Sequence, residues 1–189
     1  MQLGIISSLF LVLSLTINTS LAFASSNASF KELTNLQMLA EQSKQQELPI
    51  MLMFGAEWCE YCELLNEHVF NPMALSELYE KQVVLMRHVG IDEPEPLIDW
   101  YGNSITKEKW AYQINADLTP TVLFLDGFGR EVAPRIVGIS EITLYASLIH
   151  QNLNIAYRNM GLKKQIPATP EQLEIQSKKN DKLIHNTIK

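Results

Sequence analysis

Both cysteines of this chain lie in one motif, Trp58-Cys59-Glu60-Tyr61-Cys62, which follows the apolar run 50–54 almost directly. The run predicts a buried β-strand, and residues 55–57 are expected to turn the chain into a helix that starts near Cys59. A C-x-x-C pair at such a junction is typical of reversible dithiol–disulfide chemistry. The helix N-terminus favours a thiolate at Cys59, and Cys62 follows one helical turn later.

A structural disulfide and half of a metal site are the two other interpretations of this motif. A structural zinc site usually needs four ligands, and the chain has only 2 cysteines. His68 follows on the same predicted helix, but not on the face that carries Cys62. The motif therefore favours a catalytic dithiol that works without a metal or another cofactor.

A second feature lies far along the chain, where Pro120 stands immediately before the apolar strand 121–125. A proline at the mouth of a central strand is unusual, because it removes a hydrogen-bond donor from the ladder. It is tolerated at the first residue of a strand, and a cis peptide bond is one reason to find it there.

The order of a strand, W-C-x-x-C on a helix, and a proline before an antiparallel hairpin resembles the thioredoxin superfamily over roughly residues 30–160. The resemblance implies an α/β thioredoxin fold, with a central mixed sheet flanked by helices. Ala56-Glu57-Trp58-Cys59 is most similar to thioredoxin itself and to the C-terminal domain of the transmembrane disulfide reductase of bacterial envelopes. Residues 93–116 add a helical and aromatic insert before the proline, which looks more like exported relatives.

The resemblance also implies a role for each residue of the motifs. Cys59 would be the attacking thiolate and Cys62 the resolving thiol, with Trp58 shaping the contact surface. Thr119 and Pro120 would face the dithiol and pair with the substrate backbone, which predicts a cis Thr119–Pro120 bond against the Cys59 sulfur. The partners implied are protein thiols and disulfides, with a membrane-bound or soluble electron donor and a monomeric chain.

One position departs from the family pattern. Thioredoxin has a buried Asp in the strand before its motif for proton transfer to and from the resolving thiol, and Met53 stands there in this chain. Glu57 is the nearest carboxylate and a candidate for that proton transfer, although a solvated surface role is favoured. His88, where the family often has Lys, is better explained as a structural or exposed histidine than as a proton relay.

Charge and the N-terminus restrict the class of protein and its compartment. The net charge of -6 argues against a nucleic-acid partner, which would need a basic face. The apolar stretch 3–17 followed by Ala22-Phe23-Ala24 predicts a signal peptide, residues 1–24, and hence a periplasmic or secreted protein. The stretch lacks a preceding Lys or Arg, so an uncleaved N-terminal membrane anchor is the alternative.

We predict one thioredoxin-like domain, residues 25–160, that begins with a helix near residue 26. Residues 161–189 are polar and contain Pro167 and Pro170, which predicts a flexible tail whose removal after about Lys163 leaves stability nearly unchanged. The insert carries four large aromatic side chains that cover the sheet or, less favoured, form a wall that binds partner chains: Trp100, Tyr101, Trp110 and Tyr112.

The function predicted is that of an exported thiol–disulfide oxidoreductase. Three carboxylates surround the dithiol, Glu57, Glu60 and Glu63, and they favour a reductase over a disulfide oxidase or isomerase. Two further classes stay open. One is a partner-binding module that uses the aromatic insert, and the other is a copper or zinc carrier that uses the two thiolates.

Overall fold

The computed structural model describes residues 30–187, with side chains up to residue 183, so the predicted signal peptide lies outside the described residues. In chain order the elements are α1 (Leu36–Gln46), β1 (Ile50–Gly55), α2 (Glu60–Leu65), a π-helical turn (Asn66–Phe70), α3 (Asn71–Leu75), β2 (Leu85–Gly90), β3 (Leu97–Ile98), β4 (Ser104–Ile105), α4 (Lys107–Gln113), β5 (Thr121–Leu125), β6 (Glu131–Val137), α5 (Ile142–Asn159) and α6 (Pro170–Thr187). None of these helices combines the length and the apolar character that a membrane span requires.

The central sheet has the strand order β2-β1-β5-β6. β1 pairs in parallel with β2 and antiparallel with β5, and β5 pairs antiparallel with β6. The parallel pair needs a crossover, which the helices α2 and α3 supply. The predicted α/β architecture with a central mixed sheet is therefore confirmed.

Every residue of β1 is buried, because helices cover both faces of the sheet. Met51 and Met53 belong to the core under α2, α3 and α5, whereas Leu52 and Phe54 belong to the core under α1 and α4. This division follows from the alternation of side chains along a strand. Burial of each such side chain contributes roughly 1.5–3 kcal/mol, so β1 is a rigid base for the cysteine motif that follows it.

The helix predicted to start near residue 26 begins instead at Leu36, where the side chain of Asn35 caps its first turn. The residues before it are extended and run along the edge of β2. The Leu33 N–H donates to the carbonyl of His88 at 2.7 Å, and a backbone bridge places Glu32 beside His88. Pairing with a distant strand thus outweighs the helical spacing of the apolar residues.

The insert between β2 and the proline folds as the β3–β4 hairpin followed by α4. Trp110 is buried and packs on Phe54 with 5.4 Å between ring centroids, so it covers the sheet as predicted. Tyr101 and Tyr112 face solvent, with 85% and 73% of their surface exposed. Trp100 is partly buried against the same core, so two of the four aromatic residues join the insert to the core and the two tyrosines face solvent.

The C-terminal segment differs from the flexible tail that was predicted. Ile166 and Leu173 are buried against the core. The side chain of Asn154 exchanges two 2.9 Å hydrogen bonds with the backbone of Ile166, and His150 donates from Nδ1 to the carbonyl of Pro167 at 2.7 Å. Two apolar side chains suffice to dock this segment because α5 offers polar partners for its backbone.

Candidate active site

The cysteine motif follows directly from the end of the central strand. β1 ends at Gly55, and Cys59 is the N-cap of α2, with an extended backbone at φ -94° and ψ 95°. Its sulfur accepts a hydrogen bond from the Cys62 N–H at 3.2 Å. The two cysteines form a disulfide with Cα atoms 5.2 Å apart. The pair is therefore in its oxidised form, one helical turn apart as the motif predicts.

The two sulfurs differ in their access to solvent. Cys59 is 7% exposed and Cys62 is 1% exposed. Beside them Trp58 and Tyr61 expose about two thirds of their surface, at 68% and 66%. Both cysteines thus belong to the core, and Cys59 keeps slightly more access to solvent beside these exposed aromatic side chains. The three carboxylates near the dithiol, Glu57, Glu60 and Glu63, are all exposed.

The active-site helix continues past α2 through the π-helical turn into α3. The Asn71 N–H bonds to the carbonyl of Asn66, five residues earlier, and Pro72 follows without breaking the helix. A π-helical turn is wider than an α-helical one and accommodates a residue without an N–H. His68 lies on this turn and is exposed.

The second predicted motif lies at the same edge of the sheet. The Thr119–Pro120 peptide bond is cis, as predicted. β5 begins at Thr121, which pairs with Phe54 near the end of β1. The register therefore places Pro120 beside the segment from which the cysteine motif starts. The Thr119 hydroxyl is buried and has no hydrogen-bond partner in the described part of the chain, and Leu118 beside it is 70% exposed.

Glu57, the predicted candidate for proton transfer, lies on the surface. Its backbone N–H donates to the carboxylate of Asp92 at 2.8 Å, which fixes the turn after β1. Its side chain is exposed, which matches the solvated role that the sequence favoured. Met53, where the family has its Asp, is fully buried.

A polar network that the sequence did not reveal lies beside β2. His88 Nδ1 is 2.6 Å from a carboxylate oxygen of Glu32. Lys107 donates to the other oxygen of Glu32 at 2.7 Å and to Glu93 at 2.5 Å, although only 1% of Lys107 is exposed. We refer to Glu32, His88, Glu93 and Lys107 as the β2 network. Three different parts of the chain converge in it: residues 30–35, β2 with the turn after it, and α4.

The charges in this network stabilise one another. Burial alone would raise the pKa of Glu32, but hydrogen bonds from His88 and Lys107 outweigh it and hold that pKa below its ordinary value. Burial alone would lower the pKa of Lys107, but the Glu32 and Glu93 carboxylates raise it above its ordinary value. Glu32 and Lys107 therefore both carry their charges at neutral pH.

Glu32, His88 and Glu93 also place three potential ligand atoms within 4.8 Å of one another. The Lys107 ammonium already bonds both carboxylates of this group. The cluster is therefore an ion-pair network whose cation is a side chain, and it offers no open position to a metal ion.

Sequence reasoning named the paired cysteines and the cis bond at Pro120 but missed Glu32 and Lys107. Glu32 lies 56 residues from His88, and only the strand-edge pairing of residues 31–33 joins them. The one local signal is that β2 contains Arg87-His88 within an otherwise apolar strand. Buried charges need partners, so such a pair indicates a network whose other members cannot be named from the sequence.

The chain is similar to known proteins in sequence. A family model described as the thioredoxin-like domain matches residues 36–152. The thiol:disulfide interchange protein DsbD of Actinobacillus pleuropneumoniae serotype 5b is 25% identical over 132 residues, which cover 69% of this chain and 21% of that protein. DsbD of Campylobacter jejuni strain RM1221 is 28% identical over 103 residues, 47% of this chain and 18% of that one. The chain thus spans about a fifth of the length of these relatives.

Solved structures resemble the chain as well. The C-terminal domain of Neisseria meningitidis DsbD in the oxidised form is 15% identical, with a TM-score of 0.44, over 64% of this chain and 98% of that one. A thioredoxin-fold protein from Helicobacter pylori is 18% identical, with a TM-score of 0.45, over 86% and 92%. The family model covers well over half of the chain and includes the C-x-x-C disulfide. The chain therefore belongs to the thioredoxin-like domain family.

Proposed function

We propose that this protein is exported and reduces disulfide bonds in partner proteins. The observation that carries the proposal is the disulfide at the start of α2, in which Cys59 is 7% exposed and Cys62 only 1%. The exposed side chains of Trp58, Tyr61 and Leu118 beside it offer an apolar surface to a partner chain.

The reaction is a pair of thiol–disulfide exchanges. The reduced Cys59 thiolate attacks one sulfur of the partner disulfide, and the other partner sulfur leaves as a thiolate that takes up a proton. Cys62 then attacks Cys59 in the mixed disulfide, which forms the Cys59–Cys62 bond and releases the second partner thiol. Two electrons pass to the partner, and a membrane-bound or soluble donor must return them.

Trp58, Thr119 and Pro120 are proposed to hold the partner during this exchange. The buried Thr119 hydroxyl lacks a protein partner among the described residues, and the adjacent backbone leads into β5. An extended partner segment could pair with this backbone, as peptides do when they add to an exposed strand or loop.

Export rests on the N-terminal sequence alone. The apolar stretch 3–17 and Ala22-Phe23-Ala24 support a cleaved signal peptide, and an uncleaved anchor is the alternative. Both place the dithiol outside the cytoplasm, in the periplasm or as a secreted domain. We propose that the protein acts there as a monomer.

Catalysed reduction of insulin disulfides by the reduced protein tests the proposal. We expect turnover with the natural chain, none with Cys59→Ser, and full activity with the control Ser104→Ala, at an exposed serine of β4. The Cys62→Ala variant should accumulate the mixed disulfide, whose mass identifies the partner.

Other outcomes would favour other functions. A protein that binds partners equally well with Cys59→Ser and shows no turnover would be a binding module. Copper or zinc bound at one ion per reduced chain, lost in the same variant, would indicate a metal carrier. Net oxidation of reduced substrate proteins would indicate an oxidase or isomerase.

A further inference from the structure

The Cys62 thiol must lose its proton before it can attack the mixed disulfide. Cys62 is 1% exposed and lies in an apolar core that includes Met53 and Leu65. Burial in such surroundings disfavours a thiolate, yet the thiolate is the species that attacks the mixed disulfide. The step therefore needs a nearby group that accepts the proton, and the thioether of Met53 does not do so.

His88 lies where such a group is needed. Met53 and His88 are partners in the parallel register of β1 and β2, so both side chains project from the same face of the sheet, the face that α2 covers. A methyl group placed on Gly55 would lie 2.8 Å from His88 Nε2 and 3.4 Å from Cys62 Cβ. The imidazole and the Cys62 side chain thus border the same space, together with the Met53 sulfur at 3.2 Å, and the absence of a side chain at Gly55 leaves this space open.

The hydrogen bond at the other ring nitrogen sets the chemistry of His88. A carboxylate only accepts hydrogen bonds, so the 2.6 Å contact with Glu32 places the proton on Nδ1. In the neutral ring Nε2 then carries a lone pair, and it has no hydrogen-bond partner within residues 30–187. This free acceptor is the nitrogen that borders the space at Gly55, which Cys62 also borders.

We propose that His88 accepts the Cys62 proton when the mixed disulfide is resolved and returns it in the reverse reaction, with Glu32 as the positioning residue. The proposal rests on the thiol–disulfide exchange proposed above. It assigns to a histidine on β2 the role that Met53 cannot fill.

The resolving step moves one proton and exchanges one disulfide bond. The Cys62 S–H proton passes to His88 Nε2, directly or through one water. The Cys62 thiolate forms a bond to the Cys59 sulfur, the bond from that sulfur to the partner breaks, and the partner leaves as a thiolate. The imidazolium then donates its proton to solvent, which reaches the ring because 17% of the His88 side chain is exposed.

Three charged groups lie around His88. Glu32 contacts the ring from residues 30–35, Glu93 lies beyond β2, and Lys107 from α4 bonds both carboxylates. These three groups sum to one negative charge. The ring of Phe30 also lies beside the imidazole, 6.1 Å away between centroids. The other charged groups nearby point elsewhere: Arg87 pairs with Glu80, and Asp92 bonds the turn at Glu57.

The test resolves the two exchanges separately. Reduced protein mixed with dithiobis(nitrobenzoate) should release one nitrothiolate when Cys59 attacks and a second when Cys62 resolves the adduct. We expect His88→Gln to slow the second phase about 100-fold at pH 7 and to leave the first phase unchanged. The difference should shrink at alkaline pH, where Cys62 ionises unaided. His68→Gln, an exposed histidine on the same helix as the cysteines, is the control and should match the natural protein.

Two further measurements avoid dependence on one variant. Gly55→Ala keeps every titratable group but displaces the imidazole, and it should slow the second phase as well. In the unmodified protein, the NMR titration of the His88 ring should differ between the reduced and oxidised forms, since only the reduced form has the Cys62 thiol. A natural second phase in His88→Gln, or one slowed equally at every pH, would overturn the proposal. Neither result would affect the exchange at Cys59, which the first phase reports independently.

Discussion

Cys59 and Cys62 share a motif but occupy different environments, and their burial explains why. Cys59 caps α2 and keeps 7% of its surface exposed, where the first N–H groups of the helix have no partners within the helix itself. Cys62 points from the first turn into the core. A helix N-terminus stabilises a thiolate, whereas an apolar core destabilises it. We therefore expect Cys59 to react before Cys62, because β1 ends where it places Cys59 at the start of α2 and Cys62 one turn later.

We expect Cys59 to be alkylated faster than Cys62 in the reduced protein. Its pKa should lie below the free-thiol value of about 8.5. Brief labelling with iodoacetamide across a pH series, followed by mass analysis of the two cysteines, measures both quantities. Equal labelling, or labelling chiefly at Cys62, would contradict the assignment of the nucleophile.

A second buried histidine, His150, has a structural role. Its Nδ1 donates to the carbonyl of Pro167, and Nε2 accepts from the Tyr79 hydroxyl at 2.8 Å. Burial lowers its pKa from the ordinary 6.5, and the Pro167 carbonyl and Glu171 only partly oppose this effect. The folded protein therefore holds the ring neutral where the unfolded chain would bind a proton.

This difference predicts a pH dependence of stability. Above pH 6.5 both states are neutral at His150, and its contribution to stability is complete. As the pH falls below this value the unfolded chain binds a proton first, so the free energy of unfolding should fall until the folded pKa is passed. Denaturant unfolding at several pH values from 7.5 to 5 measures it. His150→Gln keeps one hydrogen-bond donor and one acceptor in the side chain but cannot titrate, and it should remove this part of the slope. An unchanged slope would assign the pH dependence to other groups.

At the scale of elements, local pattern predicted the strands well and the chain ends poorly. β1 and β5 are short apolar runs that are buried on both faces, so their composition alone identifies them. Phe30 and Leu33 have helical spacing with later residues, but they lie in an extended segment held by β2. Distant backbone partners decide such segments, and a sequence does not show which strand edge is free.

In the site, too, features set by the local sequence were predicted, and features set by distant contacts were not. The C-x-x-C motif and Pro120 are local signals with strong structural meaning, and both are placed as predicted. The β2 network depends on contacts between residues far apart in the chain, and its members look like ordinary surface charges in the sequence. His88 could be named from its strand, but its partner Glu32 could not.

The sequence predicted that truncation after Lys163 leaves stability nearly unchanged, but the docked C-terminal segment leads us to expect a loss of stability. Truncation after Lys163 would remove Ile166 and Leu173 from the core and leave Asn154 and His150 without their backbone partners. Burial of two aliphatic side chains and three hydrogen bonds is worth about 4 kcal/mol or more. We therefore expect the melting temperature to fall by about 10 °C.

Thermal unfolding followed by circular dichroism measures this effect. Leu173→Ala should reproduce part of the loss, while Ile175→Ala on the exposed face of α6 should be nearly neutral, because 67% of that side chain is exposed. A truncated protein as stable as the full chain would show that the segment contributes nothing to the fold.

At the scale of the whole molecule, the cysteine motif and the cis-proline lie at the same edge of the sheet. β1 ends there, α2 begins there, and the proline before β5 lies beside them. The β2 network lies at this edge as well, because β2 runs parallel to β1 and ends beside it. The insert contributes Lys107 to this network while Tyr101 remains in solvent. A fold with helices on both faces thus presents a reactive, partly apolar surface at one end.

The charges at this edge of the sheet affect the reduction potential of the dithiol, and hence the direction of electron flow. The exposed carboxylates Glu57, Glu60 and Glu63 lie around Cys59 and oppose the stabilisation of a thiolate by the helix end. Strong oxidants stabilise their reduced form through a very acidic thiolate, and carboxylates act in the opposite sense. We expect a reduction potential nearer to thioredoxin's value of about -270 mV than to the strong oxidant's value of about -120 mV.

Equilibration with glutathione buffers of known ratio measures this potential. Replacement of all three glutamates by glutamine should stabilise the thiolate and raise the potential by about 10–20 mV, by the relation between charge stabilisation and redox poise. The difference between the two proteins should shrink at high salt, because exposed charges are screened beyond about 3 Å at 1 M ionic strength. Glu108→Gln, on the first turn of α4, is the control for a loss of negative charge elsewhere and should leave the potential unchanged. A potential above about -180 mV, the range of the isomerases and oxidants, would make the protein a disulfide donor and reverse the direction proposed.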